Sequence, residues 1–302
     1  MKHPPFLNEN DLVAIVSPAG KIDAIYIEKA HKYLKTKNLR VILSPFADDS
    51  YFQFASSDDN RVSDMQIMLN NPEVKAIWCT RGGYGTMRII NKIDFSILEK
   101  FPKWLIGFSD ITVFHSILSN NHFVSIHGSM CINLSNDDYS NSGMDTLWEL
   151  LFGKVPVYKI SPHPLNRKGS ANATLIGGNL SLLTSLLGSK QDFNPKGKIL
   201  FIEDTGEYLY RLDRMMQSLK NSGKLAGLSG MIVGQMSEMK DNETPFGLTP
   251  YQIVADAVSE YTFPVMYDFP AGHSKPNEPL ILGSQVKIDV LDDCSQLRWV
   301  FD

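Results

Sequence analysis

The stretch KWLIGFSDITVFHSIL, residues 103–118, contains the pattern that decides the fold. Its beginning, WLIGF, is a short apolar run, which predicts a strand that is buried on both faces. A serine and an aspartate end this run, and apolar residues then recur at helical spacing. Ser109 therefore stands where a predicted strand turns into a helix, and it is either a helix cap or an exposed nucleophile.

The same order of strand and helix repeats on both sides of this stretch. Four more apolar runs predict strands, with amphipathic segments between them: DLVAIVSPA, LRVILSP, VKAIWCT and FVSIHG. Strands that alternate with helices pair in parallel, and helices cover both faces of their sheet. Residues 1–155 are therefore predicted to form a doubly wound α/β domain that carries Ser109.

The pattern changes after residue 155. Residues 156–173 are rich in Pro, Asn, Gly and Ser and lack helical periodicity, so they are predicted to be a linker between domains. Residues 174–302 combine helix patterns with strand and hairpin patterns. They predict a second, smaller domain of the mixed α/β class.

The composition argues against several classes of function. The chain has 302 residues, 43% of them hydrophobic, and a formal net charge of -4. This charge offers no attraction to nucleic acid or to an anionic membrane, and no apolar segment is long enough to span a bilayer. Three widely spaced cysteines and the lack of a secretory signal favour a reducing cytoplasm. No metal-binding motif occurs, so neither a metal nor another cofactor is predicted.

The place of Ser109 suits nucleophilic chemistry as well as capping. Ligand sites in open α/β sheets gather at the carboxyl ends of the strands, and a sharp turn there would expose the serine Oγ. The N–H groups of the following helix could then hold an oxyanion. The turn is not a complete G-x-S-x-G elbow, because Gly107 is present but Ile111 replaces the second glycine. This feature alone favours the cap, since serine is a common N-cap and Asp110 suits a first helical turn.

A glycine-rich turn follows the preceding predicted strand. The stretch CTRGGYGT, residues 79–86, has three glycines in four positions, which leaves backbone N–H groups open to a ligand. The turn could supply an oxyanion donor beside Ser109, and Arg81 could hold a substrate carboxylate through paired hydrogen bonds. The alternative is a tight turn with an exposed arginine and no chemical role.

A serine nucleophile also needs a base, usually a histidine. Of the seven histidines, His127 and His273 each follow a predicted strand. We favour His273, because a loop rich in Pro and Gly on a rigid scaffold can present a catalytic base. His127 could line the same cleft without taking the proton, and Ser129 could have a similar part.

The base in turn needs an acid that orients it. Glu203 and Asp204 follow the apolar run KILFI and therefore lie at the carboxyl edge of a predicted strand, with Glu207 further out in the turn. Solvated acids at a strand end are the alternative. The resulting order of serine, acid and histidine matches that of the α/β hydrolases, although the same geometry recurs in other orders.

Seven short motifs occur along the chain: SPAG, TRGGYGT, GFSDIT, HGSM, GGNLSLL, FIEDTGEYLYRLDRMM and AGHS. As an ordered set they resemble the LD-carboxypeptidases, the serine peptidase family that also contains the microcin-immunity hydrolases. The resemblance covers nearly the whole chain. It implies an N-terminal domain like the class I glutamine amidotransferases, a smaller C-terminal domain, an active site in the cleft between them and a homodimer.

The resemblance also assigns roles to particular residues. It implies that Ser109 in GFSD is the nucleophile, Glu203 in FIED the acid and His273 in AGHS the base. It further implies that the oxyanion hole consists of the backbone N–H groups of Gly83 and Asp110.

The function implied by the resemblance is release of the terminal D-alanine from cytoplasmic murein tetrapeptides during cell-wall recycling. A small peptide is then the expected partner, and the candidate residues that would bind it are Arg81, Tyr84 and His127. Two alternatives remain: the same triad could act on peptidyl or aminoacyl nucleotides, or the two lobes could bind a small ligand without catalysis. One departure from the family is HGSM, where many relatives have proline in place of Ser129.

Overall fold

The structure contains two β-sheets with helices packed around them. The computed structural model describes residues 3–134 and 142–300. Within these ranges, no helix is both long enough and apolar enough to cross a bilayer.

Strands and helices alternate through the first half of the chain, as the periodicity predicts. In chain order they are β1 (Leu12–Val16), α1 (Ala24–Thr36), β2 (Arg40–Leu43), α2 (Asp58–Asn70), β3 (Val74–Cys79), α3 (Thr86–Ile89), β4 (Trp104–Gly107), α4 (Thr112–Asn120), β5 (Ser125–His127) and α5 (Ser142–Leu151). The residues of β1 and β4 are buried throughout, which is the burial expected of central strands in a covered parallel sheet.

The second half contains more antiparallel structure. Its elements are β6 (Tyr158–Ile160), β7 (Gly169–Asn179), α6 (Leu180–Ser185), β8 (Ile199–Thr205), α7 (Leu209–Asn221), β9 (Gly230–Ser237), α8 (Pro250–Ala257), β10 (Val265–Met266), β11 (Leu280–Leu282), β12 (Gln285–Val290) and β13 (Ser295–Trp299). The capping box at Thr249 and Gln252, with Pro250 as the first residue of α8, shows how local sequence sets one of these helix starts.

The two sheets confirm the predicted fold class. The first has the strand order β11-β5-β4-β3-β1-β2, and its strands β1 to β5 are all parallel. The second has the order β10-β9-β8-β7-β12-β13-β6. Its strands β7 to β10 are parallel, whereas β12 and β13 form an antiparallel hairpin against β7 and β6.

Three strands depart from the division into domains that the sequence predicts. Strand β11 belongs to the C-terminal half, yet it pairs antiparallel with β5 and so covers the edge of the first sheet. The predicted linker, residues 156–173, contains β6 and the beginning of β7, which both belong to the second sheet. The chain therefore enters the second sheet before residue 174 and returns once to the first.

An apolar core connects the two sheets. One cluster of buried side chains includes Ile106 and Ile126 from the first sheet, Phe201 from the second, and Phe269 and Leu280 from the segments that cross between them. A large apolar interface of this kind disfavours relative motion of two domains. It holds the carboxyl ends of β4 and β8 at a common boundary, where the candidate site lies.

Candidate active site

Ser109 occupies a strained corner immediately after β4. Its φ is +62°, in the left-handed region that costs a non-glycine residue about 1–2 kcal/mol. A Cβ on Gly107 would lie 2.8 Å from Ile111 Cγ1, so the strand can end this close to the next turn only with glycine. Residues 109–111 form a single 3₁₀ turn before α4 begins at Thr112.

The N-cap interpretation of Ser109 is wrong. The residue that precedes α4 is Ile111, and neither the 3₁₀ turn nor α4 has a capping hydrogen bond from a side chain. Ser109 also lacks the extended backbone conformation that N-cap residues adopt. The half-buried Ser109 side chain is therefore not used in capping.

His273 and Glu203 form a directly bonded pair in the second domain. His273 Nδ1 lies 2.8 Å from Glu203 Oε2, and the glutamate side chain is fully buried near the end of β8. Because an ionised carboxylate only accepts, Nδ1 carries the hydrogen and Nε2 of the neutral ring can accept a proton. The loop around His273 is held by Ser274 N–H, which donates to Gln235 Oε1 at 2.7 Å, and by Gly272 N–H, which donates to Asn277 Oδ1 at 2.9 Å.

The electrostatics of this pair favour a more basic imidazole. Burial by itself lowers the pKa of His273. The hydrogen bond to Glu203, together with the charges of Glu203, Asp204 and Glu238, outweighs burial, so the pKa of His273 is raised above its ordinary value. An imidazole can take and return a proton in the pH range in which enzymes work.

The domain boundary brings this pair next to Ser109. The His273 ring packs edge-on against the ring of Phe108, with centroids 4.9 Å apart, and Phe108 directly precedes Ser109. A second connection runs through α4, because Asn179 N–H donates to Thr112 Oγ1 at 2.9 Å. The structure thus gathers Ser109, Glu203 and His273 at one boundary, although they are far apart in the chain.

Asp204, the neighbour of Glu203, has a different set of partners. It accepts hydrogen bonds from Asn179 Nδ2 at 2.9 Å, from the N–H and Oγ of Ser181 at 3.0 and 2.8 Å, and from Thr205 N–H at 2.9 Å. Burial, followed by the charge of Glu203, raises the pKa of Asp204 to about 6. Asp204 therefore secures the ends of β7 and β8, and Glu203 is the acid that contacts His273.

The glycine-rich turn faces Ser109. A Cβ built on Gly82 would lie 3.0 Å from Ser109 Oγ and 3.2 Å from Asp110 N, so these atoms border a space that only glycine leaves open. Gly20 N–H donates to Gly82 O at 3.1 Å, which fixes the Gly82–Gly83 peptide. In a trans peptide the C=O and the following N–H point in opposite directions, so Gly83 N–H is directed away from Gly20.

The three candidate residues for substrate binding lie in different surroundings. Arg81 is half-buried and its Nη1 donates to Lys21 O at 3.1 Å, whereas Tyr84 is 48% exposed at the rim of the turn. His127 is fully buried between the rings of Phe108 and Phe201, and burial holds its pKa well below the ordinary value. The structure thus leaves Arg81 and Tyr84 partly exposed and places His127 beneath the site without solvent access.

Sequence reasoning missed several residues that shape the site. The sequence did not single out His115, which is buried; its Nε2 lies 2.9 Å from Gly107 O at the end of β4, and its Nδ1 lies 2.8 Å from Ser125 Oγ. Burial lowers the pKa of His115 to about 4, so it packs there as a neutral ring. Thr112 and Asn179 were missed as well, and the asparagine in the motif GGNLSLL was the available signal.

The fold is a two-domain α/β fold, and the class to which the chain belongs is that of the serine-type hydrolases. Models of one family match both halves of the chain: the LD-carboxypeptidase N-terminal domain matches residues 13–128, and the LD-carboxypeptidase C-terminal domain matches residues 172–288. The chain belongs to the LD-carboxypeptidase family and is a serine-type carboxypeptidase.

One curated relative and two solved structures illustrate what the chain is similar to. The probable murein peptide carboxypeptidase of Bacillus subtilis is 33% identical over 293 residues, which cover 96% of this chain and 92% of that protein. The crystal structure of muramoyltetrapeptide carboxypeptidase from Oxalobacter formigenes superposes with a TM-score of 0.89 at 28% identity, covering 96% of this chain and 99% of that one. The microcin C7 self immunity protein in complex with aspartyl sulfamoyl adenosine shares the fold, with a TM-score of 0.86 at 19% identity and 97% coverage of both chains.

Proposed function

We propose that this protein is an LD-carboxypeptidase that releases the terminal D-alanine from murein tetrapeptides, with Ser109 as nucleophile, His273 as base and Glu203 as the orienting acid. The observation that carries the proposal is the contact of 2.8 Å between His273 Nδ1 and Glu203 Oε2, with the imidazole packed beside the corner that presents Ser109. The names of the relatives from Bacillus subtilis and Oxalobacter formigenes supply the murein peptide as the substrate class.

The mechanism follows from these positions. His273 Nε2 takes the proton of Ser109 Oγ as the oxygen attacks the scissile carbonyl, and the N–H groups of Gly83 and Asp110 hold the resulting oxyanion. His273 then protonates the leaving amine of D-alanine, while buried Glu203 stabilises the imidazolium. Water attacks the acyl-enzyme with His273 again as the base, which frees the tripeptide and restores Ser109.

The space in front of Gly82 provides a test of the oxyanion hole. Gly82→Ala puts a methyl group about where the oxyanion would lie, since the added Cβ comes 3.0 Å from Ser109 Oγ and 3.2 Å from Asp110 N. We expect kcat/KM to fall by about 100-fold or more, as for removal of an oxyanion donor. The backbone of Gly82 is not left-handed, but the added Cβ would also lie 2.9 Å from Ser109 Cβ, so the serine corner must shift and the melting temperature should fall as well. Activity close to that of the wild type would contradict the assigned hole.

Arg81 is the proposed ligand of the terminal carboxylate of the substrate. Its guanidinium is half-buried beside the glycine-rich turn, with Nη2 3.7 Å from the Cβ position of Gly83. A charge-assisted hydrogen bond to a carboxylate is worth about 1.5–3 kcal/mol, so Arg81→Met should raise KM about 10- to 100-fold. Wild-type enzyme should also prefer the free tetrapeptide to its C-terminal amide, and the variant should lose this preference.

The control for this prediction is Arg40→Met. Arg40 also donates to a backbone carbonyl, Asn10 O at 2.8 Å, but it lies at the beginning of β2, away from the glycine-rich turn. Steady-state kinetics with the acid and the amide substrates measure both effects. A preference for the acid that survives in Arg81→Met would remove Arg81 from the carboxylate site.

The substrate class itself is tested by competition between two substrates. We expect turnover of a tetrapeptide that ends in D-alanine, with a mass loss of one alanine, and little cleavage of an acyl-sulfamoyl adenylate. Preference for the adenylate would instead assign the immunity type of activity, which the microcin-immunity hydrolases of the same family carry out. An adenine ring would need aromatic platforms in loops, and the stretch of residues 235–252 offers Phe246 and Tyr251 and contains no tryptophan.

The proposal includes cytoplasmic recycling and a homodimer. Two of the three cysteines, Cys79 and Cys131, are buried and all three are free, which suits a reducing compartment. Sedimentation analysis at several protein concentrations would test the dimer.

A further inference from the structure

A buried arginine outside the triad contacts the glycine-rich turn. Arg61 lies in α2 and is only 1% exposed. Its guanidinium donates to Ser56 O at 3.2 Å, Pro18 O at 2.6 Å and Gly85 O at 3.0 Å, and it also pairs with the Asp58 carboxylate. Such a cation is costly to bury, and these four acceptors offset that cost.

One peptide unit of the turn is held on both of its edges. Gly85 O accepts from Arg61 Nη1 at 3.0 Å, and the N–H of the same peptide, that of Thr86, donates to Asp110 Oδ2 at 2.9 Å. Thr86 Oγ1 also donates to Asp110 O at 2.8 Å. Asp110 is fully buried and directly follows Ser109, so the orientation of this peptide is tied to the corner that presents the serine.

Arg61 also acts on the turn indirectly, through the segment that contains Pro18 and Gly20. It holds Pro18 O, and two residues later Gly20 N–H donates to Gly82 O at 3.1 Å. That bond sets the plane of the Gly82–Gly83 peptide and therefore the direction of Gly83 N–H. The Arg61 guanidinium thus holds one end of the glycine-rich turn directly, at Gly85 O, and the other end indirectly, at Gly82 O.

We propose that Arg61 is a positioning residue that holds the glycine-rich turn, and with it Gly83 N–H, in register with Ser109 for oxyanion binding. The inference rests on the proposed function of Ser109 and Gly83. Arg61 itself touches no substrate, because its side chain is enclosed by Phe54, Asp58 and the backbone. Only an arginine suits this place, because its planar fork reaches several carbonyl groups in fixed directions, whereas lysine offers one nitrogen.

The test measures reaction of Ser109 with a fluorophosphonate, because phosphonylation also develops charge on an oxygen in the oxyanion hole. The variants are Arg61→Met and the milder Arg61→Lys, which keeps the charge if the first does not fold. The matched control is Lys103→Met. Lys103 is a buried cation that also binds two carbonyl groups, Asn71 O and Val74 O. It lies at the amino ends of β3 and β4, whereas the glycine-rich turn follows the carboxyl end of β3.

The expected result is a 10- to 100-fold slower labelling of the Arg61 variants, with the larger effect in Arg61→Met. Tetrapeptide turnover should show the same loss in kcat with KM within a few-fold of wild type, because substrate binding is untouched. Lys103→Met should lose thermal stability and label at the wild-type rate. Labelling of folded Arg61→Lys and Arg61→Met at the wild-type rate, or equal slowing in the control, would overturn this inference alone. Wild-type protein that fails to label would overturn the triad and this inference together.

Discussion

Ser109→Ala is expected to abolish turnover of a defined tetrapeptide while the protein stays folded. The substitution removes the attacking oxygen, and loss of a triad nucleophile costs about 10⁴- to 10⁶-fold in kcat. Its stability should be nearly unchanged, because Ser109 Oγ supplies no cap to either the 3₁₀ turn or α4. Product release followed by mass spectrometry, together with thermal melting, checks both expectations.

The matched control is Ser129→Ala. Ser129 is fully buried near the same boundary, and its Oγ has no hydrogen-bond partner among the described residues, so its removal should leave kcat within a few-fold of wild type. A serine-directed fluorophosphonate should add its mass to wild-type protein at Ser109 and should not add to Ser109→Ala. Wild-type turnover by Ser109→Ala would refute the proposed mechanism, and the absence of any adduct on the wild type would favour a non-catalytic binding protein.

The second large effect is expected from Glu203→Gln. Glutamine has the same size but no charge, and its amide can turn the imidazole of His273 into the wrong tautomer. We expect kcat to fall about 10³- to 10⁴-fold. The acid limb of the profile of kcat/KM against pH should also move, because it reports the pKa of the base in the free enzyme.

The direction in which the acid limb moves follows from the groups that shift the pKa of His273. His273 must be neutral to accept a proton, so activity falls as the pH drops through its pKa. Glu203 raises this pKa, and burial, which lowers it, remains in the variant. The acid limb should therefore lie at lower pH in Glu203→Gln than in the wild type.

Glu207→Gln is the control for the second prediction. Glu207 is half-buried in the same turn and faces Arg211 at 3.7 Å, so its replacement should change neither kcat nor the acid limb appreciably. If Glu207→Gln instead reproduced the loss while Glu203→Gln stayed active, the acid would be assigned to the wrong residue.

Much of the fold could be predicted because its signals are local. The apolar runs of β1, β3 and β4 and the helical spacing between them are read within a few residues, and their alternation specifies a parallel sheet. The pairing of β11 with β5 could not be predicted. Both are three-residue strands far apart in the chain, and nothing in LIL at residues 280–282 specifies its partner.

The candidate site also has features that the sequence predicts and features that it does not. The motifs GFSD, FIED and AGHS identify Ser109, Glu203 and His273 as candidates, because the first two lie where an apolar strand ends and the third lies in a loop rich in Pro and Gly. Capping was the natural interpretation of Ser109, since a serine before a helix usually caps it. The left-handed φ of Ser109 overturns this interpretation; it occurs together with the close approach of Ile111 to Gly107, and no local pattern reveals either.

The sequence by itself determined the alternating α/β architecture, the family and the identity of the three candidate triad residues, because periodicity and short motifs are properties of neighbouring residues. Only the tertiary structure decided which acid contacts His273, that His127 is buried beneath the site, and that Arg61 holds the glycine-rich turn. From sequence, an arginine in an amphipathic helix is expected at the surface. Its burial depends on carbonyl groups from three separate loops, and folding alone brings these together.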